Sequence, residues 1–159
     1  MTVKEYNHCV EEFADGLYRF ALKTLGDDDK ARDAVQDSFE RLWLKHENVD
    51  FLKSKSYLYT TAYHACIDEF RNQKRIGNMD EAIISTSENS FTDLQEVLHM
   101  ALSKLPEIQR SVILLRDYEG YSYTEIEEIT GLNESQVKVY IYRARLTLKQ
   151  YIGKLDLVI

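Results

Sequence analysis

The chain has 159 residues, 44% hydrophobic and 30% charged, with a formal net charge of −7. That length fits one ordinary domain or two small ones, and the balance of apolar to charged residues excludes a disordered chain. The start, MTVKEYNHCVEEFADG, lacks the apolar run of a secretory signal, and no stretch approaches the ~18 apolar residues of a membrane span. Cys9 and Cys66 lie far apart with no CxxC pair, which argues against a disulfide scaffold and for a reducing cytoplasm.

The acidity is unevenly spread. Residues 1–76 carry 12 basic and 14 acidic side chains, and residues 101–159 carry 8 of each. Residues 77–100 carry 5 acidic side chains and no basic one, whereas 134–154 carry 5 basic and 1 acidic. Net charge therefore does not exclude nucleic acid, because local basic surface decides contact with phosphate.

A single proline and six glycines leave few breakers, and no stretch sustains strand-like alternation, so the expected class is all-α. Residues 5–25 read as a helix, with Phe13, Leu17, Phe20 and Ala21 at helical spacing. Gly26 is its expected stop, and Asp27–Asp29 supply a cap for the next helix, DKARDAVQDSFERLWLKH. There Ala31, Ala34, Val35, Ser38, Phe39 and Leu42 share one face, with Asp33, Asp37, Glu40 and Leu44 on the other. ENVDFLKSKS reads as a loop. SYLYTTAYHACIDEFRNQKR reads as a third helix with a core stripe of Tyr59, Ala62, Tyr63, Cys66 and Phe70.

IGNMDEAIISTSENSFTD has neither a basic residue nor a helical period, and reads as a linker. Helices resume near residue 93, with a break at Pro106, a stop at Gly120, and a short helix closed by Gly131. The last helix, NESQVKVYIYRARLTLKQYI, has Asn133 as N-cap and Gln136 three residues on, a capping-box pattern.

Residues 122–151 thus form a helix-turn-helix. Val137, Ile141, Ala144 and Leu148 anchor the last helix, while Ser135, Gln136, Val139, Tyr142 and Arg143 face away, flanked by Lys138, Arg145 and Lys149. A DNA-reading helix needs a buried stripe, short polar groups near its N-terminus for base edges, and a basic flank for phosphate. The solvated face of a plain helical hairpin fits the same pattern. No Gly-rich phosphate loop or nucleophile context appears. His64 beside Cys66 reads as a surface histidine next to a core cysteine rather than a metal pair. No active site, metal or cofactor is expected.

The run LSKLPEIQRSVILLRDYEGYSYTEIEEITGLNESQVKVYIYRARLTL resembles region 4 of bacterial extracytoplasmic-function (ECF) sigma factors. The elements that carry the likeness are Leu105-Pro106, Gln109-Arg110, Leu114-Leu115-Arg116, Glu119-Gly120-Tyr121-Ser122, Glu125-Ile126, Gly131, Val137-Lys138 and Arg143-Ala144-Arg145. DKARDAVQDSFERLWLK resembles region 2.2 of that family, and SYLYTTAYHACIDEFRNQKR its regions 2.3–2.4.

The resemblance implies two helical domains, 1–76 and 94–159, joined by a flexible acidic linker, 77–93. It implies promoter-specific initiation with core RNA polymerase, promoter DNA and an anti-sigma factor, often membrane-anchored, as partners of a free monomer. No small-molecule substrate is implied. Asp33, Gln36, Asp37 and Phe39 match the segment that docks on the polymerase clamp. Helical projection adds Glu40 and Leu44 to that surface and turns Phe39 inward. Loop 48–56 and the following helix match the part that captures a −10 base, with Phe51, Lys53, Ser54, Ser56 and Tyr57 as its side chains. Arg71, Lys74 and Arg75 would hold that strand's backbone. Ser135, Gln136, Lys138, Val139, Tyr142, Arg143 and Arg145 would meet the −35 duplex. The linker would thread the polymerase's RNA path or serve as a plain tether.

Glu127 stands where such units carry a small residue, Tyr140 where an aliphatic one is usual, and Val139 where a small polar one is common. A regulator that never joins polymerase, or a sigma-like interaction module that binds no DNA, would share many of these features.

Overall fold

The computed structural model describes residues 1–76 and 93–156, and among them it is built from seven α-helices with no strand. Segment 77–92, which holds nearly all of the expected linker, lies outside the described residues. The helices are α1 (Val3–Leu25), α2 (Asp28–Leu44), α3 (Ser54–Ile76), α4 (Asp93–Ser103), α5 (Glu107–Ile113), α6 (Tyr123–Thr130) and α7 (Glu134–Asp156).

Local chemistry sets the boundaries. Thr2 and Glu5 form a reciprocal capping box at the head of α1, which ends at Gly26 in the left-handed region with φ 72°. The Asp27 carboxylate accepts from the Lys30 N–H at 3.0 Å and starts α2. Both junctions match the expectation from sequence. The loop after α2 is more ordered than expected: Phe51–Lys53 make one 3-10 turn, and α3 begins at Ser54. After α5, Leu114–Tyr118 form a π-helical turn, with the Glu119 N–H bonded to the Leu114 carbonyl at 3.0 Å.

α1, α2 and α3 pack together as an N-terminal helical domain, and α4–α7 form a second one. A seam of small residues, Ala21, Ala31, Ala34 and Cys66, lets the first three helices approach closely. Burial holds the Cys66 thiol up at about 12, so it stays protonated and inert.

The two domains also share apolar core. Leu17, Phe20, Leu58 and Tyr59 belong to the same buried cluster as Leu102, Leu114, Tyr121 and Ile126. Each such side chain contributes roughly 1.5–3 kcal/mol when fully buried. Tyr59 and Tyr121 meet edge-on across the junction at 4.9 Å. Burial pushes the Tyr59 phenol up to about 12 and raises that of Tyr121 as well.

Arg110 pins the junction. Buried at 9% exposure, it donates to the carbonyls of Leu102, Ser103 and Leu105 beside α4, and at 2.6 Å to that of Thr24 in α1. These carbonyls lie at helix ends, where that of Leu102 also accepts from the Leu105 N–H at 3.1 Å, so one guanidinium serves four acceptors.

Candidate nucleic-acid interface

Ser122 and Glu125 cap α6 reciprocally, and Gly131, with φ 77°, ends it. Two residues later Asn133, with Gln136, caps α7: the Gln136 N–H donates to Asn133 Oδ1 at 2.8 Å, and the Asn133 N–H to Gln136 Oε1 at 3.0 Å. This box fixes the angle at which α7 leaves the turn. It also occupies the Gln136 carbonyl and leaves the NH2 donors outward. Val137, Ile141 and Ala144 are buried beneath.

The outer face of α7 is as projected. Ser135, Gln136, Lys138, Val139, Tyr142, Arg143 and Arg145 are all exposed, Tyr142 at 68%. Their charges differ in commitment. Lys138 pairs with Glu134 at 2.7 Å within the helix. Arg145 makes a two-pronged bond to Asp117, at 2.6 and 3.1 Å, and that bonding holds its guanidinium even more firmly charged. Asp117 reaches it from the π-helical turn. Arg143 has no ion-pair partner among the described residues.

Glu127 is half-buried on α6. The Lys138 ammonium is held charged chiefly by its bond to Glu134, with smaller help from Tyr123 and Glu127. The carboxylate in place of a small residue thus adds negative potential under the head of α7. Tyr140 is half-buried and lines a cleft with Phe70 and Pro106, where its larger ring has room.

The segment before α3 is organised differently. Asp50 caps the 3-10 turn, and the Phe51 ring packs on the core, 5.8 Å from His8. Ser56 and Tyr57 are half-buried, and Tyr57 also rests against the core. Ser54, expected to face a DNA strand, is instead 1% exposed. Its hydroxyl donates to the Phe51 carbonyl at 2.6 Å and accepts from the Cys9 thiol at 3.2 Å, so it ties the loop to α1. The most exposed apolar side chain here is Leu52, at 84%, which sequence reasoning passed over. Its signal was a leucine inside a loop with no periodic partner.

Lys53 lies 3.6 Å from Glu128 of α6. Lys55 lies 3.5 Å from Glu125 and stacks over the Tyr121 ring at 4.1 Å. At the far end of α3, Arg71, Lys74 and Arg75 are exposed, with Lys74 3.3 Å from Glu107.

The outer face of α2 presents Asp33, Gln36, Glu40 and Leu44 to solvent, with Asp37 half-buried beside Arg41 at 3.3 Å. Leu44 is 76% exposed. Phe39 is buried, and its carbonyl accepts from the Tyr6 hydroxyl at 3.0 Å, a structural role. Trp43, 39% exposed and stacked on His46 at 4.4 Å, adds apolar surface beside Leu44. It follows the buried-face residue Leu42 directly, and helical projection assigns it to neither face.

Residues 9–76 match the family description Sigma-70 region 2, and residues 95–148 match Sigma-70, region 4. The chain is 33% identical over 154 residues to RNA polymerase sigma factor SigV of Bacillus subtilis (strain 168), covering 94% of this chain and 92% of that one. It is 29% identical to ECF RNA polymerase sigma factor SigM of the same organism, covering 94% of each. A solved structure of the sigma factor RpoE with the anti-sigma factor NepR from Bartonella quintana superposes with a TM-score of 0.80 at 25% identity. That match covers 95% of this chain and 98% of that one. The chain belongs to the sigma-70 family of RNA polymerase sigma factors, in its extracytoplasmic-function class.

Proposed function

We propose that the chain joins core RNA polymerase through α2 and directs it to promoters by reading −35 duplex with α7 and holding the −10 strand along residues 48–75. The observation that carries this reading is the outer face of α7. Ser135, Gln136, Val139, Tyr142 and Arg143 stand in solvent on a helix anchored by Val137, Ile141 and Ala144. Short polar groups at the capped end fit base edges, and Arg143 fits either a guanine edge or a phosphate. Tyr142 adds a large contact area at low entropic cost.

On α2, Asp33, Asp37 and Glu40 beside the exposed Leu44 and Trp43 suit a partner helix that is basic with an apolar seam. In the −10 segment, the exposed Leu52 and the half-buried Phe51 and Tyr57 supply the surface for an unstacked base. Lys53, Arg71, Lys74 and Arg75 supply charge for its backbone. Ser54, being interior, shapes that loop rather than touching the strand.

The chemistry of RNA synthesis then belongs to the polymerase, and the chain acts in the cytoplasm. The RpoE and NepR pair supports an anti-sigma factor as a further partner. Among the described residues, no helix is long and apolar enough to cross a membrane.

Capture of core polymerase by the full chain tests the α2 assignment. Asp37→Arg should abolish capture while leaving the helical circular-dichroism signal unchanged. Undiminished capture by this variant would remove α2 from the interface.

A further inference from the structure

Gln136, Val139 and Arg143 fall at i, i+3 and i+7 of α7, in one line along its solvent face. The middle residue is out of keeping with that face. Val139 is 43% exposed, although its β-branched side chain lowers helix propensity and would gain from burial. Val137, Ile141 and Ala144 already fill the core side, so packing does not account for it.

Gln136 is oriented by its cap. The Asn133 N–H is a donor, so the side-chain atom that meets it at 3.0 Å is the amide oxygen. The NH2 group therefore points away from the helix end, and Gln136 is exposed. Glutamine reads adenine with two bonds, giving one to N7 and taking one from the N6 amino group. Here the oxygen is turned back to the backbone, so donors alone face outward. The base edges that fit them carry acceptors, thymine O4 or guanine O6 and N7. The N4 amino group of cytosine would set donor against donor.

Val139 decides between thymine and guanine. The apolar group on a major-groove base edge is the thymine C5 methyl, next to O4. An isopropyl group one turn beyond Gln136 covers that methyl and offers guanine nothing. Lys138, paired with Glu134, and Arg145, held by Asp117, flank this line and suit phosphates.

We infer that Gln136 and Val139 form a thymine-reading pair in the −35 duplex, the amide donating to O4 and the isopropyl group covering the C5 methyl. This rests on the assignment of α7 to −35 duplex, and it names the base that two of its residues select.

The test uses the full chain bound to purified core polymerase. Promoter fragments randomised across the upstream duplex are selected for binding and sequenced. The wild type should enrich thymine at one position of the upstream motif. Gln136→Glu keeps an oxygen for the Asn133 N–H, so the cap remains, but it turns an acceptor outward. Preference at that position should move to cytosine by about tenfold. A glutamine that only capped the helix would give no such change. Replacing the thymine by deoxyuridine removes the methyl alone and should weaken wild-type binding about fourfold. The Val139→Ser variant should bind both duplexes alike.

An upstream motif that Arg143→Ala alters and Gln136→Glu leaves unchanged would overturn the pair while sparing the reading of −35 by α7. Guanine or adenine at the switched position, or a wild type indifferent to deoxyuridine, would overturn thymine as the target. An upstream motif blind to both substitutions, or no motif at all, would overturn the −35 assignment and the inference with it.

Discussion

Lys53 and Lys55, at the start of α3, face carboxylates of α6, whereas Arg143 on α7 faces solvent with no such partner among the described residues. Both segments carry cations beside aromatic side chains, so composition alone does not separate them. The difference lies in what each helix packs against. α7 buries a single stripe and leaves the opposite face free. α3 is covered on more than one side, by α1 and α2 within its own domain and by α5 and α6 from the other. A surface group's availability is thus set by the whole packing arrangement, not by its own helix.

Several substitutions would break or sharpen that contrast. The largest effect is expected at Arg110. Replacing it with Ala removes the guanidinium from four carbonyls, one of them Thr24 in the other domain, while that of Leu102 keeps a backbone donor. The loss should be at least about 3 kcal/mol, read in chemical denaturation as a lower midpoint for both domains together. A variant in which only the C-terminal domain loosens would show that the junction is not cooperative.

Gly16→Ala comes next. A Cβ there would stand 2.5 Å from the Tyr59 hydroxyl, between Arg19 and Glu119. Alanine in a helix interior gains up to about 1 kcal/mol over glycine, but a rigid buried tyrosine cannot yield, and overpacking costs about 1–3 kcal/mol. Net destabilisation is expected, with the Tyr59–Tyr121 contact the first to be lost. A stabilised variant would show that Tyr59 has room to move.

Arg143→Ala should weaken duplex binding and lower the slope of log affinity against log salt by about 1. Single-strand binding should stay unchanged. An unaltered salt slope would take Arg143 out of phosphate contact. The smallest effect is on the resting shape. At about 1 M salt the Debye length falls to about 3 Å. The exposed lysine pairs between the domains then weaken, and scattering should report a modest expansion.

Much of the architecture was legible in the sequence. The order of helices followed from the 3.6-residue period, and the ends of α1, α6 and α7 from Gly26, Gly131 and the Asn133–Gln136 box. The outward face of α7 and the acidic face of α2 were legible for the same reason. Periodicity says which face is buried, but not against what. It could not show Tyr59 meeting Tyr121, Arg145 held by Asp117 across a π-helical turn, or Lys55 beneath Glu125. Ser54 misled because a serine in a loop reads as exposed, and only the approach of Cys9 turns it inward. Helical projection places Trp43 on neither face, and the structure puts it at the rim.

The central claim is that the chain gives core polymerase its choice of promoter. In vitro transcription with purified core polymerase on a genomic template library tests it most directly. The expected result is discrete transcripts that depend on the chain and disappear with Asp37→Arg. No chain-dependent start on any template would contradict the account.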